Sequence, residues 1–181
     1  MISEHELLER ARRFDRVALG IIYDHYSPAL YRYAVRLLGN ADAAEECVAE
    51  VFSRFLHALK NGSGPREHLQ AYLYRIAHNW ITDQWRRAPP PAVSLDANVS
   101  RDAHTTPDQM LSQQWDQARV RAALAQLTPE QRQVIVLKFV EELDNAEIAA
   151  ALNKPVGAIK SLQHRALAAL RRVLTASEDV E

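Results

Sequence analysis

The chain has 181 residues, 48% of them hydrophobic and 25% charged, with a formal net charge of -1, which is enough apolar material for one or two packed domains and excludes disorder throughout. Its single cysteine, Cys47, excludes an intrachain disulfide framework or a multi-cysteine zinc site and reads as a small apolar core residue. The start "MISEHELLERARRF" lacks a signal-peptide apolar run and no stretch approaches the ~18 apolar residues that span a bilayer, so a cytoplasmic location without membrane insertion is expected.

Strand signals are nearly absent, while apolar residues recur at three- and four-residue spacing over long stretches. The predicted fold is all-α: two helical domains joined by a Pro-rich linker, the C-terminal one a helix-turn-helix. The first stripe is Ile21, Ile22, Tyr26, Leu30, Tyr33, Ala34, Leu37 and Leu38, closed by Gly39-Asn40. A second runs Cys47, Val48, Val51, Phe52, Phe55, Leu56 and Leu59, closed by Asn61-Gly62. Off that stripe lie Glu45, Glu46, Ala49, Glu50, Ser53 and His57. No histidine stands at metal-ligand spacing from these acids, so they form a solvated or a docking face rather than a metal or acid-base site.

The third stripe, in "REHLQAYLYRIAHNWITDQWRR", is Leu69, Leu73, Ile76, Ala77, Trp80 and Ile81. Opposite it lie Arg75, His78, Asn79, Thr82, Asp83 and Arg86, with Tyr72, Tyr74, Trp80 and Trp85 interleaved. Rings on which bases stack, beside arginines that hold the backbone, make the composition of a single-strand surface; Trp80 is also expected in the core. Next comes "APPPAVSLDANVSRDAHTTP", Ala88 to Pro107, with four prolines and no helical period. It reads as a linker of up to ~65 Å when extended. The expected division is a first domain over 1–87, a flexible linker over 88–112 and a second domain over 113–175.

In the second domain, "LTPEQRQ" offers Thr128 as N-cap with Pro129 and Gln131 behind it, and "DNAE" repeats the capping box with Asp144 and Glu147. A short helix Asn145 to Leu152, the turn "NKP" and a long helix from about Val156 to Leu174 follow. Ile148, Ala149, Leu152, Ile159, Ala166 and Leu170 are expected to pack the pair as a helix-turn-helix. The near-neutral total hides local charge: residues 145–172 hold five Lys and Arg against one acid, whereas 88–116 hold one against four. A basic helix pair favours DNA over mere packing.

Three stretches together, "IYDHYSPALYRYAVRLLGNADAAEECVAEVFSRFLHAL", "LQAYLYRIAHNWITDQWRR" and "ALAQLTPEQRQVIVLKFVEELDNAEIAAALNKPVGAIKSLQHRALAALRRVL", resemble the extracytoplasmic-function (ECF) group of bacterial RNA polymerase sigma factors. The resemblance implies a promoter-specificity subunit rather than an enzyme, with no metal or other cofactor. It implies docking of Glu45, Glu46, Glu50, Ser53 and His57 on the clamp helices of the largest polymerase subunit. It assigns the minus-10 strand to Asn61, Ser63, Arg75, His78, Asn79, Asp83, Trp85, Arg86 and Arg87. The minus-35 duplex falls to Lys154, Pro155, Val156, Gly157, Lys160, Ser161, Gln163, His164 and Arg165. The implied partners are core polymerase, through those clamp helices and its flap region, promoter DNA and an anti-sigma factor.

The chain departs from its relatives in three places. Glu46 and Ala49 stand where Asp and Gln are frequent, Pro155 stands where a serine cap is common, and the frequent "KSRLHRA" is "KSLQHRA". Leu162 thus replaces an arginine, and Gln163, which can pair bidentately with adenine, is the expected base reader, with Lys160 and Arg165 on phosphates. Two other readings compete: a free-standing helix-turn-helix regulator, which leaves the acidic and aromatic helices unused, and a helical anti-sigma-type interaction protein. A catalytic role fits worst, since no nucleophile, base and orienting group assemble.

Overall fold

A computed structural model describes residues 3–88 and 122–176, and among them there is no strand. The helices are α1 (Glu4–Arg12), α2 (Arg16–Leu38), α3 (Ala41–Lys60) and α4 (Leu69–Arg87), then α5 (Pro129–Phe139), α6 (Asn145–Leu152) and α7 (Val156–Ala176). Residues 122–125 are also helical. The predicted linker lies for the most part outside the described residues.

Polar residues at the turns set the helix boundaries. Asp15 caps α2 by accepting from the Val17 amide at 2.9 Å, and Arg10 pairs with the same carboxylate at 2.7 Å. Gly39 ends α2 at φ 68°, a left-handed conformation that a Cβ would strain, and its N–H returns to the Val35 carbonyl. The Asn40 side chain then caps α3 by accepting from Ala43 at 2.9 Å. His68, before α4, supplies no side-chain cap; the Glu4 carboxylate of α1 accepts from the Leu69 amide at 3.3 Å instead. Both predicted capping boxes are present, Thr128 with Gln131 and Asp144 with Glu147. Asn153 ends α6 at φ 53°, and the pair α6–α7 has the predicted helix-turn-helix order.

The stripes pack largely as expected. Ile22, Leu30, Tyr33, Ala34, Leu37 and Leu38 are buried, as are Cys47, Val48, Val51, Phe52, Phe55 and Leu59, and the whole third stripe of Leu69, Leu73, Ile76, Ala77, Trp80 and Ile81. Ile21 and Leu56 are exposed, because each stands one position beyond the edge of its stripe. Of the residues expected to pack α6 on α7, all are buried except Leu170, which is half-buried.

The two helical groups do not stand apart. α4 packs along α6, α2 touches α5, and one continuous apolar core runs from Leu8 in α1 to Leu162 in α7. This contact explains one departure from the sequence reading. Tyr74, expected beside the arginines on the outer face of α4, is 1% exposed, its ring edge-on to Tyr33 at 5.2 Å. α4 therefore has two buried sides, one toward α2 and α3 and one toward α6.

Candidate nucleic-acid interface

The outward face of α7 is set by its packing. Ile159, Leu162 and Ala166 point into the core, which turns Lys160, Ser161, His164 and Arg165 outward around one open depression. Leu162, expected to replace an arginine of the reading helix, is a packing residue at 7% exposed. Gln163 is half-buried and donates its amide to the Asn145 Oδ1 at 2.7 Å, tying the first residue of α6 to the middle of α7. That bond uses one of the two amide hydrogens of Gln163. Pro155, Val156 and Gly157 are exposed at the start of α7. Lys154 is turned away from them, its Nζ 2.9 Å from the Glu130 carboxylate.

On α4 the predicted side chains divide. Asn79, Arg86 and Arg87 are exposed, and Asp83 pairs with Arg86 at 3.4 Å. Trp85 is half-buried against the core. Arg75 is engaged: its Nη2 and Nε donate to the Ala150 carbonyl of α6 at 2.6 and 3.0 Å. His78 faces Gln133, Lys154 and Glu130 from the second group, and burial, with Lys154 next, holds its imidazole below the usual histidine range. Arg75, though exposed, is thus tied to the second group and His78 is half-buried against it, whereas Asn79, Arg86 and Arg87 are exposed without a bond to that group in this arrangement.

The loop before α4 is tied down by a residue the sequence reading did not single out. Arg12 of α1 donates to the carbonyls of Gly64 and Pro65 at 3.2 and 3.3 Å. A Cβ on Gly64 would lie 2.7 Å from a terminal methyl of Leu59, which would have to shift to admit it. Asn61 and Ser63 are exposed on this loop, with the Ser63 hydroxyl donating to the Ala58 carbonyl at 3.3 Å. The contact lies 52 residues from Arg12 in sequence, beyond the reach of any local pattern.

Along α3, Glu46, Glu50, Ser53 and His57 recur at helical spacing on the side away from the core, with Glu45 adjacent. Arg54 is paired to Glu50 at 2.6 Å, so part of this acidic face is neutralised within the helix. Cys47, on the opposite side, is buried, and burial pushes its thiol up to about 12, so it is no nucleophile at neutral pH. Among the described residues, no group of His, Cys, Asp and Glu could hold a metal ion, and no helix is long and apolar enough to cross a membrane.

Known proteins share this arrangement. The pattern of the family "Sigma-70 region 2" matches residues 22–89, and that of "Sigma-70, region 4" matches residues 117–170. The ECF RNA polymerase sigma factor BldN of Streptomyces coelicolor is 32% identical over 174 residues, covering 93% of this chain and 65% of BldN. The ECF RNA polymerase sigma factor SigW of Bacillus subtilis is 31% identical over 179 residues, covering 92% of this chain and 94% of SigW. Among solved structures, CnrH in complex with the cytosolic domain of CnrY superposes with a TM-score of 0.73 at 25% identity, covering 96% of this chain and 97% of CnrH. Two regions in the same order, on a helical fold whose second half presents an outward basic helix, decide the matter: the chain belongs to the ECF group of the sigma-70 family of RNA polymerase sigma factors.

Proposed function

We propose that the protein works in the cytoplasm as a non-enzymatic specificity subunit that binds RNA polymerase core and selects promoters by their minus-10 and minus-35 elements. The observation that carries this reading is the outward face of α7, where Lys160, Ser161, His164 and Arg165 stand together free of the core that Ile159, Leu162 and Ala166 fill. A helix presenting bases and hydrogen-bonding side chains from a stable platform suits the major groove. The outward residues of α4 and the loop Asn61–Ser63 serve the minus-10 strand, and the acidic face of α3 serves the clamp helices of the largest polymerase subunit. The flap region of the polymerase takes the α5–α7 group, and an anti-sigma factor is the regulatory partner.

The test is reconstitution. Purified protein added to bare core polymerase should start transcripts from one class of genomic fragments sharing two upstream elements. Equal promoter binding with and without core, together with no transcript from any genomic fragment, would overturn the assignment.

A further inference from the structure

The loop between α3 and α4 is held at its two ends by different means. Its first residues continue α3: Gly62, at φ 70°, returns its N–H to the Leu59 carbonyl at 3.1 Å, and Ser63 returns its own to Ala58 at 2.9 Å, the paired bonds of a left-handed helix stop. At the far end His68 stands in the left-handed region at φ 55°, which a residue with a Cβ keeps only where its surroundings impose it, and its side chain does not cap α4. The middle and the far end of the loop are tied instead to α1. One guanidinium nitrogen of Arg12 donates to both the Gly64 and the Pro65 carbonyl, and the Glu4 carboxylate takes the Leu69 amide at the start of α4, where a helix favours negative charge. Glu4, Leu8 and Arg12 recur at four-residue spacing and so fall along one side of α1. Leu8, between the two polar residues, is 1% exposed and with Ala11 seats the helix in the core. α1 is thus fixed by its apolar residues and reaches the loop with its polar ones.

We infer that α1 is a splint for the α3–α4 loop, and that Glu4 and Arg12 are positioning residues for minus-10 recognition: they touch no DNA and fix the shape in which the loop carrying Asn61 and Ser63 meets the strand. The inference rests on the assignment of that loop to the minus-10 strand. A loop selects a base by presenting donors and acceptors at fixed places. One that takes several shapes presents them only part of the time, so it binds the right base more weakly and discriminates less. Glu4 and Arg12 stand on neither α3 nor α7, so their loss leaves the proposed core-docking and minus-35 residues in place.

The test uses the full chain with core polymerase, in competition between promoters that differ at single positions of the mapped minus-10 element and, in parallel, of the minus-35 element. Arg12→Met keeps an unbranched stem and removes the donors, and Glu4→Ala removes the acceptor. The double variant should lose about tenfold of its preference at a minus-10 position, the size of one base contact, while its minus-35 preference and its affinity for core stay as in the parent chain. Glu4→Gln alone keeps an oxygen for the Leu69 amide and should retain a preference that Glu4→Ala alone weakens; equal losses in the two overturn the capping role of Glu4. Equal weakening at both promoter elements marks α1 as a support of folding and overturns the splint. An unchanged minus-10 preference in the double variant overturns it too, and Asn61→Ala with Ser63→Ala then tells which step failed. If that pair lowers the preference, the loop assignment stands without the splint; if it does not, the loop assignment has failed as well.

Discussion

The outer faces of α4 and α7 carry similar chemistry and sit in opposite circumstances. On α7, Lys160, Ser161, His164 and Arg165 are turned outward by a core that claims every third or fourth residue, and the helix offers them without rearrangement. On α4, Arg75 is exposed but bonded to the Ala150 carbonyl of α6 and His78 is half-buried against the α5–α7 group, while Asn79, Arg86 and Arg87 are exposed. The difference shows that basic and aromatic composition identifies a face without telling whether the face is available. Availability is a property of the packing between the groups. In this chain that packing combines one continuous apolar core with polar contacts at Glu141 and Ala150.

The comparison breaks most drastically if the platform under α7 is lost. Arg132 is buried at the base of α5 and donates to the carbonyls of Leu124, Ala125 and Leu127 at 2.9, 3.3 and 3.5 Å, closing the end of the helical segment 122–125. Burial lowers its guanidinium from the usual value, yet the group stays charged, so its removal leaves carbonyls without donors in the core. Arg132→Ala should cost about 3 kcal/mol in urea unfolding followed by circular dichroism. A loss below ~1 kcal/mol would show that water replaces the guanidinium and that α7 needs no such support.

A smaller effect sharpens what α7 reads. Gln163→Ala should lose about 1 to 3 kcal/mol of discrimination at a single base pair of the minus-35 element, measured by competition between promoter variants in holoenzyme binding. Asn145→Ala removes the acceptor that holds the Gln163 amide at 2.7 Å and should lose a fraction of that discrimination while leaving the salt dependence of binding unchanged. If Gln163→Ala keeps the base preference intact, the residue joins Leu162 as packing and Lys160 with Arg165 carry only phosphate contacts. No base would then be read at this turn of the helix.

Much of this was legible in the sequence because local rules act within a few residues. The capping boxes at Thr128 and Asp144, the stops at Gly39 and Asn61, and the three apolar stripes are all short-range patterns, and the structure places them as read except for Ile21 and Leu56, which are exposed. The burial of Tyr74 does not follow from its place among the polar residues of α4, because it is supplied by distant partners, the Tyr33 ring and the Glu141 carboxylate 67 residues away. Arg12 on the Gly64 and Pro65 carbonyls, and Arg75 on Ala150, join distant segments in the same way. The one sign within reach was α4 itself. Leu69, Ala71, Leu73, Tyr74, Ile76, Ala77, Trp80 and Ile81 are too many apolar residues for a helix buried on one side.

The smallest expected effect is a pH dependence of closure, the packing of α5–α7 on α2 and α4, and its sign follows from two groups that oppose one another. His78 has its imidazole held below 6.5 in the closed chain, chiefly by burial and then by Lys154, with Glu130 and Gln133 acting the other way. Its contribution to closure is full above pH 6.5 and is lost as pH falls from there through the lower closed-state value. Glu141 is raised above 4.5 by burial, against the pull of Tyr74, Arg32 and Arg36, so its contribution is present at acid pH and is lost as pH rises through that raised value. Glu141→Gln copies the protonated acid and removes the second titration, leaving His78 to act alone. In that variant the radius of gyration should grow as pH is lowered from 7.5 to 5.5, and the further change His78→Gln should flatten the curve. A curve equally steep without the imidazole would place the proton elsewhere and leave His78 without a part in closure.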